Sequence, residues 1–207
     1  ESKRNWQAAL IYDVMGFEVS YNERSILQHL DAGIYPSYYP NRKDWARFLS
    51  QTEAALLRER MLDVALGNTI TNNRTWSGLH IGIVDRVGIR RILNIDQIQS
   101  AIVNQFPQAK VERKVMEHLE PLQQFFWWSQ QDVVLSAHGA AMVNMIFLRS
   151  NSAVVEIFPK HYAPICYWEM GKAIGVRNYG YFNGIIKDPN ADYLNHTNDN
   201  RLKTVNL

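Results

Sequence analysis

The stretch from Asp132 to Leu148 restricts the fold more than any other part of this chain. Val133, Val134 and Leu135 form a short apolar run of the sort buried in a parallel sheet. Small residues, Ser136, Ala137 and Gly139, then mark a change to helical spacing. The reading is strand, turn, helix, with His138 and Gly139 in the turn. N–H groups of the first helical turn lack intrahelical partners, and here they face the crevice above the strand's carboxyl end, which makes an anion site. A second apolar run, 152–159, supplies the next strand and completes a strand–helix–strand unit. Glu156 stands inside that run, and a carboxylate in an apolar strand needs a partner or a ligand.

Extending the reading in both directions gives an alternating order. Residues 79–85 alternate as a strand whose carboxyl end delivers Arg86. Ile95, Ile98, Ile102 and Phe106 then share one helical face, closed by Pro107. A strand over 110–116 and a helix over 119–128 follow, the latter ending in a Phe-Phe-Trp-Trp cluster suited to core packing. After the 152–159 strand come a helix over 164–174, with Gly175 past its end, and a last strand over 177–185. Strand–helix alternation of this kind favours an α/β domain with a Rossmann-like parallel sheet and right-handed crossovers. Upstream, Asn41 caps a long helix in which Trp45, Phe48, Leu49, Thr52 and Leu56 give the expected buried stripe, stopped by Gly67. The expected division is therefore a flanking segment with a long helix over 1–66, the α/β domain over 67–186 and a C-terminal extension over 187–207.

Composition narrows the function classes. With 22 basic and 20 acidic residues the net charge is +2, too balanced for the field of a general nucleic-acid binder, so anion binding must be local. The one cysteine, Cys166, cannot form an internal disulfide and reads as a small buried hydrophobe. No apolar run reaches the roughly 18 residues of a membrane span. Because the chain begins at Glu1 without methionine, it reads as an excised segment. Two glycosylation acceptors, at Asn73 and Asn195, sit in polar stretches, which fits passage through the secretory route. A loop holding Tyr35, Tyr38 and Tyr39 could stack on a sugar ring, although packed loop tyrosines are commoner.

The signature residues also carry a resemblance. Ser136-Ala137-His138-Gly139-Ala140-Ala141, then Asn144 and Leu148, then Val154-Val155-Glu156-Ile157-Phe158-Pro159, preceded by Arg86, Arg90, Arg91 and Asn94, resemble the C-terminal core of glycosyltransferase family 61. That family holds plant xylosyl- and arabinosyltransferases and animal protein O-linked N-acetylglucosaminyltransferases. The likeness covers residues 79–160 well, and Ala141 stands where the family pattern has a second glycine. It implies the C-terminal, nucleotide-sugar-binding half of a two-domain GT-B-type enzyme. The implied reaction is inverting transfer of a sugar from a UDP-sugar to a protein or polysaccharide hydroxyl. The implied setting is the Golgi or endoplasmic reticulum lumen, with the full-length protein anchored in the membrane. No tightly bound cofactor and no nucleic-acid partner are expected, and dependence on a divalent cation is left open.

The candidate donor-binding residues are Arg86, Arg91, Asn94, His138, Gly139, Asn144 and Glu156. Loss of a diphosphate leaving group needs fixed positive groups, and arginine forks and helix N-termini supply them without a metal. Each has a plainer alternative. Arg86 could form a surface ion pair, one of Arg90 and Arg91 is expected to be solvated, and Asn94 suits a helix cap. Asn144 could fasten a neighbouring loop, and Glu156 could accept from ribose hydroxyls or pair internally with an arginine or backbone donor. No residue presents itself as catalytic base, and neither an Asp-x-Asp box nor ligand-spaced histidines suggest a metal. Two rival functions follow: a non-catalytic nucleotide-sugar or carbohydrate-binding module of the same fold, and a dinucleotide oxidoreductase. The latter is disfavoured because no Gly-x-Gly-x-x-Gly follows a strand.

Overall fold

In the computed structural model, residues 14, 51–66, 78–159, 163 and 166–182 are described. The tyrosine loop, both glycosylation acceptors, the start of the long helix and the 187–207 extension lie outside them. The elements run α1 (Gln51–Leu66), β1 (His80–Asp85), α2 (Ile95–Gln105), β2 (Lys110–Val115), a 3-10 turn (Met116–His118), α3 (Pro121–Ser129) and β3 (Val133–Ala137). A 3-10 helix (Ala140–Phe147), β4 (Ala153–Phe158), α4 (Cys166–Ile174) and β5 (Arg177–Phe182) complete the order.

All strand pairs are parallel, in the order β2-β1-β3-β4-β5. The chain leaves β1 towards one edge of the sheet and returns past it to build the other, so the order reverses between β1 and β3. Ligands of open parallel sheets bind beyond the strands' carboxyl ends at such a reversal. The edge strand β2 is blunted by charge, with Lys110 and Glu112 paired at 2.8 Å and Lys114 between them and its end.

Strand register sorts the side chains onto two faces. Ile83, Leu135, Ala137 and Ile157 meet Ile92, Ile95, Ile98 and Ile102 from the α2 side. On the opposite face Val84, Val134 and Val154 pack with Phe125, Trp128, Phe147, Ile174 and Val176, the larger core. The aromatic run of α3 is thus packing material, as its sequence indicates; Phe125 and Phe147 stack with centroids 4.4 Å apart. Gly175 adopts φ +74, a left-handed conformation that costs glycine little, and ends α4 with Val176 N–H donating to Gly171 O.

Two elements differ from expectation. The segment after Gly139 is a 3-10 helix of eight residues, long for this conformation. Apart from the buried Asn144 it is apolar throughout, with Met142, Met145, Ile146 and Phe147 buried, so tertiary packing rather than one amphipathic stripe holds it. Residue i then lies over i+3, and Asn144 Nδ2 donates to Ala141 O at 3.0 Å along that line. In α1 the inward residues are Ala54, Leu57 and Met61, whereas Thr52 and Leu56 face solvent. Leucine and alanine occur on both sides of this helix, so spacing alone marks no single face and packing selects the one that carries Ala54, Leu57 and Met61. The helix is bound to the domain by polar contacts too: Arg58 Nη1 donates to Leu148 O at 2.7 Å and Gln51 Nε2 to Ser150 Oγ at 2.9 Å.

Because Met61 is fully buried against the α3 and 3-10 helix core, Met61→Ala is expected to cost about 2–5 kcal/mol. Urea denaturation with a single transition checks this. A loss below about 0.5 kcal/mol, the size of an ordinary surface change, contradicts the placement of α1 in the core.

Candidate functional site

The site is assembled from the ends of three neighbouring strands. Arg86 follows β1, His138 and Gly139 follow β3, and Glu156 lies near the carboxyl end of β4. Pairing of β3 with β4 continues one step beyond the strand, since His138 N–H donates to Ile157 O at 2.8 Å. Ser136 is in register with Glu156, so residues 136 and 138 on one strand and 156 and 158 on the next point to the same face. His138 consequently meets both Glu156 and Phe158. Its Nδ1 is 2.6 Å from Glu156 Oε1, and its ring lies 5.8 Å from that of Phe158 and 5.4 Å from that of Tyr167. Small neighbours, Ser136 and Gly180, flank Glu156 in the sheet. The Ser136 hydroxyl donates to Ala137 O, so it is satisfied within its own strand.

Glu156 is 1% exposed and His138 5%. Burial pushes the Glu156 carboxyl above the usual range, and the bond and charge of His138 only partly offset it. Its second oxygen, Oε2, is buried and lacks a hydrogen-bond partner. The same low-dielectric surroundings push the Cys166 thiol up to about 11, through burial and then the Glu156 charge. They also raise the Tyr167 phenol, by burial and the neighbouring Cys166 and Glu156, with Arg90 and Arg86 acting in the opposite sense. Cations and acids from four segments therefore share one local field.

Arg86 lies against Gly139. A Cβ at that position would overlap Arg86 Nη1 and come within 3.7 Å of Arg90 Nη1. The glycine is required by close approach of the guanidinium, since its φ of 171 is extended backbone open to any residue. Arg86 Nε meets Glu117 Oε1 at 3.4 Å, while Nη1 is buried with no hydrogen-bond partner. Arg90 Nη1 is 3.5 Å from the His138 carbonyl. Its backbone φ of 58 is left-handed, a conformation costing a non-glycine residue about 1 kcal/mol or more. The loop thus holds Arg90 in a conformation that local preference opposes.

The other candidates fall elsewhere. Arg91, preferred to Arg90 in the sequence, is 45% exposed, with Nε 4.0 Å from Asp85 Oδ1. Asp85 anchors the loop from beneath: it accepts from Arg86 N–H and from Arg113, which also pairs with Asp96 of α2. Asn94 occupies the N-cap position of α2. Its carbonyl accepts from the N–H groups of Gln97 and Ile98, but its side chain makes no capping bond. Asn144 is fully buried and donates to Gln124 Oε1 and Ala141 O, tying the 3-10 helix to α3. Glu156 does pair internally, although with His138 rather than an arginine or backbone donor. Arg90, Glu117 and Tyr167 join the group without having been selected as site residues. Arg90 had a signal in its motif, but nothing marked the left-handed turn that aims it. Among the described residues no group of three or more His, Cys, Asp or Glu gathers as a metal centre.

An open five-stranded parallel sheet with helices packed on it and its strand order reversed between β1 and β3 is an α/β fold. Residues 29–155, more than half of the chain, match the family glycosyltransferase 61, and the chain belongs to that family. Its general activity is therefore glycosyl transfer, from a sugar donor to an acceptor. No curated protein matches the chain.

Two outcomes follow from this geometry. Gly139→Ala should push aside only the end of the Arg86 side chain, leaving stability within about 1 kcal/mol by denaturation. It should also weaken binding of pyrophosphate, measured by calorimetry, by about tenfold through the lost charged contact; unchanged affinity contradicts a role for Arg86 in anion binding. Cys166 should react with a disulfide reagent at pH 8 about a hundredfold more slowly than a thiol of ordinary pKa, in proportion to its thiolate fraction. Cys166 is half-buried rather than fully buried, and a rate equal to that of free cysteine contradicts that setting.

Proposed function

We propose that this chain forms the donor-binding part of a GT-B-type inverting glycosyltransferase, taking a UDP-sugar and transferring the sugar to a protein or polysaccharide hydroxyl in the secretory pathway. The observation that carries the reading is the convergence of Arg86, Arg90, His138 and Gly139 at the carboxyl edge, beside the reversal of strand order. A diphosphate placed there meets two guanidinium groups and the N–H groups that the start of a 3-10 helix leaves unpaired.

In the proposed reaction the acceptor oxygen attacks the anomeric carbon, the bond from that carbon to the diphosphate oxygen breaks, and its electron pair leaves with UDP. The acceptor proton goes to a base outside the residues assigned here. Charge grows on the phosphate oxygens as the bond breaks. Arg86 and Arg90, held in place before the ligand arrives, stabilise it without reorganising, which is the efficient way to lower such a barrier. The set of cations also supports donor binding without a tightly bound metal, and membrane attachment of the whole protein is part of the same proposal.

UDP is expected to raise the melting temperature, and Arg86→Ala and His138→Ala to remove most of that rise while keeping the fold. Both variants retaining the full rise would refute the proposed cradle. A panel of nucleotide sugars, with nucleotide release followed in the full-length protein, identifies the donor. Binding of UDP with no release from any donor and acceptor pair would instead support a non-catalytic nucleotide-sugar-binding module.

A further inference from the structure

At 2.6 Å, His138 Nδ1 and Glu156 Oε1 cannot face each other with lone pairs alone, so a proton lies between them. Both partners are almost wholly buried, and Glu156 comes from β4 while His138 comes from the end of β3. The carboxylate therefore fixes the imidazole in two ways. It holds the ring plane, and it commits Nδ1, so that a ligand is met through Nε2.

We infer that Glu156 is a positioning residue for donor binding: it orients His138 through Nδ1, and the pair carries a second proton when the diphosphate is bound, so that Nε2–H donates to it. This inference rests on the reading that a nucleotide diphosphate binds at the carboxyl edge. It assigns Glu156 a use other than ribose binding, since one carboxylate oxygen is already given to His138.

The charged and titratable groups around the pair are consistent with it. Arg86 and Arg90 come from the loop after β1, Glu117 from the 3-10 turn after β2, and Cys166 and Tyr167 from the first turn of α4. The 3-10 helix after Gly139 brings no ionisable side chain, and in β5 Glu156 is opposite Gly180. Glu117 is engaged with Arg86, so the pair itself is the acid–base unit nearest the strand ends. An arriving diphosphate adds negative charge beside it and favours its protonated form. By linkage, affinity must then fall as rising pH makes uptake of that second proton costlier, by no more than tenfold per pH unit for one proton.

The test is calorimetric UDP affinity from pH 6 to pH 9 for the wild-type protein and Glu156→Gln. UDP's own ionisation contributes equally to both, so any difference in slope belongs to the pair. The variant should bind about tenfold more weakly at pH 8 and show its loss of affinity at lower pH than wild type. Ring-nitrogen NMR of wild-type His138 provides a second readout that needs no variant: addition of UDP should shift Nε2 and leave Nδ1 bonded to Glu156. If UDP binds both proteins with equal affinity and equal pH dependence, or if it shifts Nδ1 and not Nε2, the inference is overturned while the nucleotide reading stands. If wild type binds no UDP at any pH, the nucleotide reading falls and the inference falls with it.

Discussion

The alignment of β3 with β4 decides what this domain can do at its carboxyl edge. Because Ser136 is opposite Glu156, His138 arrives two residues later on the same face, with the carboxylate within bonding distance. A slip of one residue would turn every side chain of β3 over and send His138 towards the α2 layer. The register is held by burial on both faces, with Val134 and Val154 in one core and Leu135, Ala137 and Ile157 in the other. Packing of ordinary aliphatic residues thereby fixes the distance between two ionisable groups.

A second constraint comes from the direction of the chain. All five strands are parallel, so their carboxyl ends lie on one side, and the turns after β1 and β3 open onto the same place. The loop after β1 is tightened from below by Asp85, which holds Arg113 and the Arg86 amide, and from within by the left-handed Gly88 and Arg90. Strain of this sort persists where surrounding contacts over-determine the loop. Its effect here is to bring Arg90 to the His138 carbonyl while Arg91 faces outward.

Much of the fold was legible because its signals were periodic. Each strand and helix from His80 onward lies within a few residues of where alternation, helical spacing and the punctuation of Pro107 and Gly175 place it. What stayed hidden depended on register and tertiary packing. No sequence feature says that Glu156 faces His138, that Arg90 and not its neighbour turns inward, or that Ala54 and Met61 rather than Leu56 are the buried side of α1. Asn144 shows the same limit: its place in the motif suggested a ligand contact, whereas its amide joins two helical segments. Membership of glycosyltransferase 61 gives the class of reaction; the anionic leaving group held at the carboxyl edge is our proposal.

The most direct test is a crystal structure of the UDP complex. The account predicts diphosphate oxygens within hydrogen-bonding distance of Arg86 Nη1 and His138 Nε2, with the β-phosphate over the Gly139 turn. A nucleotide seated away from the β1 and β3 ends, or bound there with no contact to Arg86 Nη1 or to His138, would contradict it.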